Sequence, residues 1–173
     1  MTLEVDMQGG GIVSDWIDRL KNKNQPWQSE KARQEELRLH KAKVIHAKLP
    51  TFWAALEVRV KADCDKLRET FPNDKNWNCD VTVLSPHGFT INGGGLPRRI
   101  LELELNLDGL CIDTVEGEKQ EFMQAYLSNK IIGQIPIEVG ESEELRLRFK
   151  GMPHVFVESL SEHLVSYVAR IKN

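Results

Sequence analysis

Five histidines, three cysteines and a triple-glycine loop followed by two arginines are the residues of this chain whose types could do chemistry. Gly93-Gly94-Gly95 ahead of Arg98 and Arg99 could cradle an anion, since free backbone amides and guanidinium groups both suit phosphate. A phosphate loop normally opens a helix, however, and Ile100 to Leu107 reads as a strand. The plainer reading is a flexible hairpin loop, with Arg98 and Arg99 kept as candidates for anion binding.

The histidines stand at 40, 46, 87, 154 and 163, with no pair four apart and no HExxH, so no helix presents a ready metal site. Cys64, Cys79 and Cys111 are odd in number and lack CxxC spacing. Neither a disulfide framework nor a zinc site is indicated, and a reducing compartment fits best. Ser85 and Ser159 lack a GxSxG setting. Glu102 and Glu104 share the outward face of a strand and read as surface charge rather than an acid–base pair. Arg146, Arg148 and Lys150 form an outward basic stripe, and the expected register sets Arg146 opposite Glu138. No catalytic residue, metal ligand or cofactor is implied.

Those residues must be positioned by ordinary secondary structure, for which the chain is well provided. Its 173 residues, 40% of them hydrophobic, suit a single domain over 1–173 that buries a core without staples. A net charge of -3 gives no global footprint for nucleic acid. The basic residues Lys31, Arg33, Arg38, Lys41, Lys43 and Lys48 are interrupted by Glu30, Glu35 and Glu36, which reads as a solvated helix face. No run of about 18 apolar residues occurs, and the N-terminus lacks a basic region followed by an apolar one. A soluble cytoplasmic protein without membrane contact is expected.

Residues 1–11 end in Gly9-Gly10-Gly11 and read as a loose tail, with Met7 an alternative start. Ile12, Val13, Trp16, Ile17 and Leu20 have helical spacing, and Asn22 to Ser29 with Pro26 reads as a connector. Glu30 to Lys48 is a helix with few apolar positions. Leu49 to Phe71 is the organising helix: Leu49, Phe52, Trp53, Leu56, Val60, Cys64, Leu67 and Phe71 recur at steps of three or four. Pro50 predicts a kink or a restart at Leu49, and Phe71-Pro72 ends the run.

From Asn78 the period falls to two. Val81–Leu84, Phe89–Ile91 and Leu101–Leu107 read as strands, and Asp108-Gly109 as a hairpin turn that sets Leu107 against Leu110, Leu105 against Ile112 and Leu103 against Thr114. A further turn is expected at Glu116-Gly117, then a strand carrying Met123, Ala125 and Leu127, then a turn at Asn129. Strands follow over 131–139, where Pro136 predicts a bulge or an edge, and over 145–149. The C-terminal helix opens at Pro153 and gathers Phe156, Leu160, Leu164, Tyr167, Val168 and Ile171 on one face.

The architecture expected is α+β: an antiparallel meander of about seven strands with a long kinked N-terminal helix and a C-terminal helix on one face. In that register Phe122, Tyr126 and Ile132, with Cys111 and Val115, point away from the helices and could form an apolar island for a protein partner or a second copy. A non-enzymatic binding or assembly module is the favoured reading. Its rivals are a small-ligand binder or enzyme with a pocket near Trp53, Tyr167 and His154, and nucleic-acid binding through 31–48.

Overall fold

The computed structural model describes residues 11–120 and 127–170, with side chains from residue 16 onward. The chain divides into two units, residues 1–41 and 42–173. A helix, α1 (Gly11–Thr70), contributes to both. Seven strands follow: β1 (Cys79–Ser85), β2 (Gly88–Gly93), β3 (Arg98–Asn106), β4 (Cys111–Lys119), β5 (Ser128–Val139), β6 (Leu145–Phe149) and β7 (Met152–His154). They form one antiparallel sheet in sequence order, and a last helix, α2 (Val157–Val168), closes the fold.

The organising stripe of α1 is covered as its spacing requires. Leu49, Leu56 and Val60 have no exposed surface, Trp53 and Cys64 almost none, and Trp53 packs on Phe89 with ring centroids 5.0 Å apart. Phe89, Ile91, Leu101, Leu103, Ile112, Ile135 and Leu147 face them from the sheet, and Leu160 and Leu164 from α2. Each such side chain contributes roughly 1.5–3 kcal/mol when fully buried.

Register follows parity. Leu105 opposes Ile112 and Leu103 opposes Thr114, as the hairpin turn predicts. Asn106 secures that turn by accepting from the Gly109 amide at 2.7 Å and donating to Asp113 at 2.8 Å. Glu138 opposes Arg146, although Glu138 pairs with Arg148 at 3.6 Å while Arg146 turns to Glu144. At Pro136 the ladder with β4 ends, and at Ile137 the ladder with β6 begins. The proline's missing donor falls where the partner changes.

Several expectations need correction. No restart occurs at Leu49 and no connector over Asn22–Ser29, since α1 passes through both Pro26 and Pro50. Both prolines are exposed, so water can satisfy the carbonyls they leave unpaired, while buried Leu49 and Trp53 hold the helix on either side of Pro50. Glu116-Gly117 is no turn: the register shifts between Glu116 and Glu118, making Gly117 a bulge inside β4. A Cβ there would meet the Leu127 side chain at 2.8 Å. Asn129 lies within β5 at φ 52°, a left-handed conformation that asparagine tolerates.

The expected strand through Met123 and Ala125 lies largely outside the described residues, as do Phe122, Tyr126 and Ile171. The seventh strand is β7, where a helix start was expected. Lys150 and Gly151 have φ of 50° and 82°, the paired positive values of a tight type I′ hairpin, and Phe149 opposes Met152 across it. Pro153 sits on an edge strand, a place that tolerates it. Phe156 becomes the N-cap of α2 and is 71% exposed instead of joining the buried face.

Candidate functional site

Residues 42–173 bring their chemistry-bearing side chains together beneath α2. Glu116, paired with Ile131 on the helix-facing side of β4, is only 8% exposed. It accepts from the Tyr167 hydroxyl and the Lys150 ammonium. Lys150 stands 4.7 Å from the Tyr167 ring centroid, and the Arg99 guanidinium 4.6 Å from it. Arg99 also donates to the Tyr167 carbonyl at 2.8 Å. Burial and the Glu116 carboxylate push the Tyr167 hydroxyl up to about 12. The arrangement joins α2 to β3, β4 and the β6–β7 turn.

Alongside it, His154 Nε2 lies 2.9 Å from His163 Nδ1, and His154 Nδ1 lies 3.2 Å from Ser159 Oγ. Ser159 donates to the Phe156 carbonyl at 3.0 Å, so its oxygen is left to accept from His154 Nδ1–H. His154 Nε2 then accepts from His163 Nδ1–H. With its proton directed at the serine, His154 is no base toward it, and the trio is a hydrogen-bonded latch between β7 and α2. Burial lowers both imidazoles, His163 also disfavouring charge on His154 and Lys150 on His163.

Trp53, Tyr167 and His154, grouped as possible pocket residues by sequence, take separate partners: the first packs on Phe89, the second bonds Glu116 and the third His163, with Phe149 linking the last two at 5.7 Å from the Tyr167 ring and 5.1 Å from that of His163. A cleft of about 470 Å³ lies instead between α1 and α2, lined by Arg59, Asp63, Leu67, Glu158 and Glu162. Asp63 is already engaged there, accepting from Arg59 at 3.0 Å and from Ser161 at 2.7 Å. A shallow apolar groove runs beside it past Ala55, Val58 and Phe156.

Arg98 and Arg99 are adjacent on β3 and therefore project to opposite faces; Arg98 is exposed, while Arg99 is held by Tyr167. Ile132 lies on the face away from the helices, opposite Val115, and is 75% exposed. Phe122 and Tyr126 lie outside the described residues. Among the described residues no group of three or more metal-ligating side chains converges, and no helix is long and apolar enough to cross a membrane.

In the other unit, every residue from 16 to 41 is exposed. Trp16, Leu20, Trp27 and Leu37 are 53%, 47%, 63% and 50% exposed, yet at helical rotation they gather within an arc of about 100°. Lys23, Glu30 and Arg38 fall within the same arc, and charges of both signs along this stretch are tied by Arg33 to Glu30 at 3.3 Å and Arg38 to Glu35 at 2.7 Å. Lys31 covers part of Trp27, its ammonium 5.2 Å from the ring centroid. Trp27 and its place in this stripe were missed from sequence because Pro26 suggested a break, although the seven-residue step from Leu20 to Trp27 was there to be read.

No protein-family model matches the chain, and no curated protein or solved structure shows significant similarity to it.

Proposed function

We propose that this protein is a non-enzymatic assembly module of the cytoplasm that self-associates through the Trp16–Leu37 stripe of α1. The observation that carries the reading is the exposure of that stripe along a helical stretch with no buried side chain of its own. An unsupported helix is marginal in water, and two exposed tryptophans add a strong demand for cover. A partner must present an apolar stripe over roughly 30 Å of helix, at 1.5 Å per residue. A second copy brings such a stripe, and the Arg33–Glu30 and Arg38–Glu35 charges, already paired within each helix, do not repel their counterparts.

Static light scattering across a concentration series tests this, with Leu20→Asp/Trp27→Asp beside the wild type. The expected outcome is a wild-type mass that rises to twice the chain mass and a variant that stays monomeric with its sheet spectrum intact. A wild type that is monomeric throughout contradicts the reading. Ile132→Asp separates the two surfaces: if it alone abolishes association, the outer sheet face is the interface and the helix stripe is not. The small-ligand reading would use the α1–α2 cleft, where Asp63 is already taken up by Arg59 and Ser161. Nucleic-acid binding through 31–48 is disfavoured by Glu30 and Glu35, which pair with Arg33 and Arg38.

A further inference from the structure

Cys64 and Cys79 are fifteen residues apart in sequence, and their sulfurs meet at 2.6 Å. Both are free thiols, 1% and 2% exposed. Their backbones are fixed independently of the sulfurs. Cys64 continues the stripe of α1 that buries Val60, and Cys79 opens β1 opposite Gly93. Arg68, one turn along α1, donates to the Cys79 carbonyl at 3.1 Å. The intervening segment is folded back by Phe71 on Trp77, centroids 4.6 Å apart, and by Asn78, whose carbonyl accepts from the Gly94 amide at 2.7 Å.

We propose that Cys64 and Cys79 are a disulfide-forming pair that closes under oxidising conditions and staples edge strand β1 to the core helix. A disulfide needs its sulfurs at about 2.05 Å, an approach that side-chain rotation can supply when the two already touch. Cys111 is out of reach of Cys79 by topology. It lies on β4, three strands from β1, which at about 4.8 Å per strand is beyond disulfide reach.

The oxidant is a low-molecular-weight disulfide of the glutathione class. One cysteine sulfur attacks it, forming a mixed disulfide and releasing half as a thiol; the other cysteine sulfur then displaces the second half. Two protein S–H bonds are lost and one S–S bond forms. The two electrons pass to the small disulfide, whose halves leave as thiols carrying the two protons. The neighbouring Cys79 sulfur, and then burial, push the Cys64 thiol up, so attack within the closed fold is slow. Closure therefore occurs as the chain folds or when the β1 edge opens locally.

The test refolds reduced full-length protein from guanidinium into a buffer of oxidised and reduced glutathione. The sample is trapped with N-ethylmaleimide under denaturing conditions, digested without reduction and mapped by mass spectrometry. The expected product is a peptide pair joined through Cys64 and Cys79 and lighter by two hydrogens, with Cys111 carrying maleimide. The same link is expected in Cys111→Ser, and the linked form should melt above the same sample treated with dithiothreitol. Recovery of Cys64 and Cys79 as maleimide or glutathione adducts, or of either joined to Cys111, overturns the proposal. Refolding removes burial as an obstacle, so absence of the link counts against the pair itself.

Discussion

Residues 16–41 and residues 42–70 belong to the same helix and both carry large apolar side chains at helical steps, yet they meet opposite fates. In the second stretch Leu49, Trp53, Leu56, Val60 and Cys64 disappear beneath the sheet and α2. In the first, Trp16, Leu20, Trp27 and Leu37 all stay about half exposed or more. Spacing alone therefore creates a demand for cover without saying who meets it. For 42–70 the supply comes from the alternating strands of the same chain; for 16–41 the proposed supply is a second molecule.

Substitutions should divide along the same line. Leu56→Ala removes a fully buried side chain and is expected to cost about 2–5 kcal/mol in denaturant unfolding of the sheet-containing unit, with little influence on association. Trp27→Ala should do the reverse, leaving that unfolding midpoint in place while lowering the associated mass at a given concentration. If Trp27→Ala destabilised the sheet unit as much as Leu56→Ala, the contrast would be lost.

Next in size is the polar cluster beneath α2. Glu116→Ala strands the Tyr167 hydroxyl and Lys150, and an expected loss of roughly 1–3 kcal/mol can be read from urea midpoints. Glu116→Gln should recover part of it by keeping an acceptor. The histidine latch predicts a pH effect of the same origin. Both imidazoles are lowered in the folded protein, so below the ordinary histidine range near 6.5 the unfolded chain binds more protons and stability is lost as the pH is lowered. Melting curves between pH 7 and 5 should show this slope, flattened in His163→Phe; a slope of opposite sign would contradict the latch. Smallest of all, Ile132→Ala on the open sheet face should change stability by no more than about 0.5 kcal/mol.

Much of the 42–173 unit was legible in the chain because one face of each long element is buried. The alternation of Leu101, Leu103 and Leu105 with charged neighbours fixed both a strand and its register, and the stripe through Leu56 fixed its helix. What escaped were places where a local signal has two meanings. Glycine marks a turn or a bulge, and at Gly117 the bulge prevails because β4 keeps its ladder on both sides. Proline marks a helix start or an edge strand, and at Pro153 the Lys150-Gly151 hairpin decides. Exposed prolines within α1 broke nothing.

The side-chain clusters were less legible still. His154 and His163 show no ligand spacing because they meet across a strand and a helix, and Cys64 meets Cys79 in the same way. Glu116 has the parity of a buried position, two beyond Thr114, but a charge followed by glycine at that parity signals a turn as readily as a buried strand position. Pairings between elements distant in sequence leave no periodic trace, so only the fold discloses them.

Amide hydrogen exchange followed as a function of protein concentration tests the central claim most directly. The account predicts that amides of 44–67 are protected at every concentration, whereas those of 16–41 gain protection only as the associated mass appears. Protection of 16–41 that is independent of concentration would contradict it, as would its absence in samples already associated.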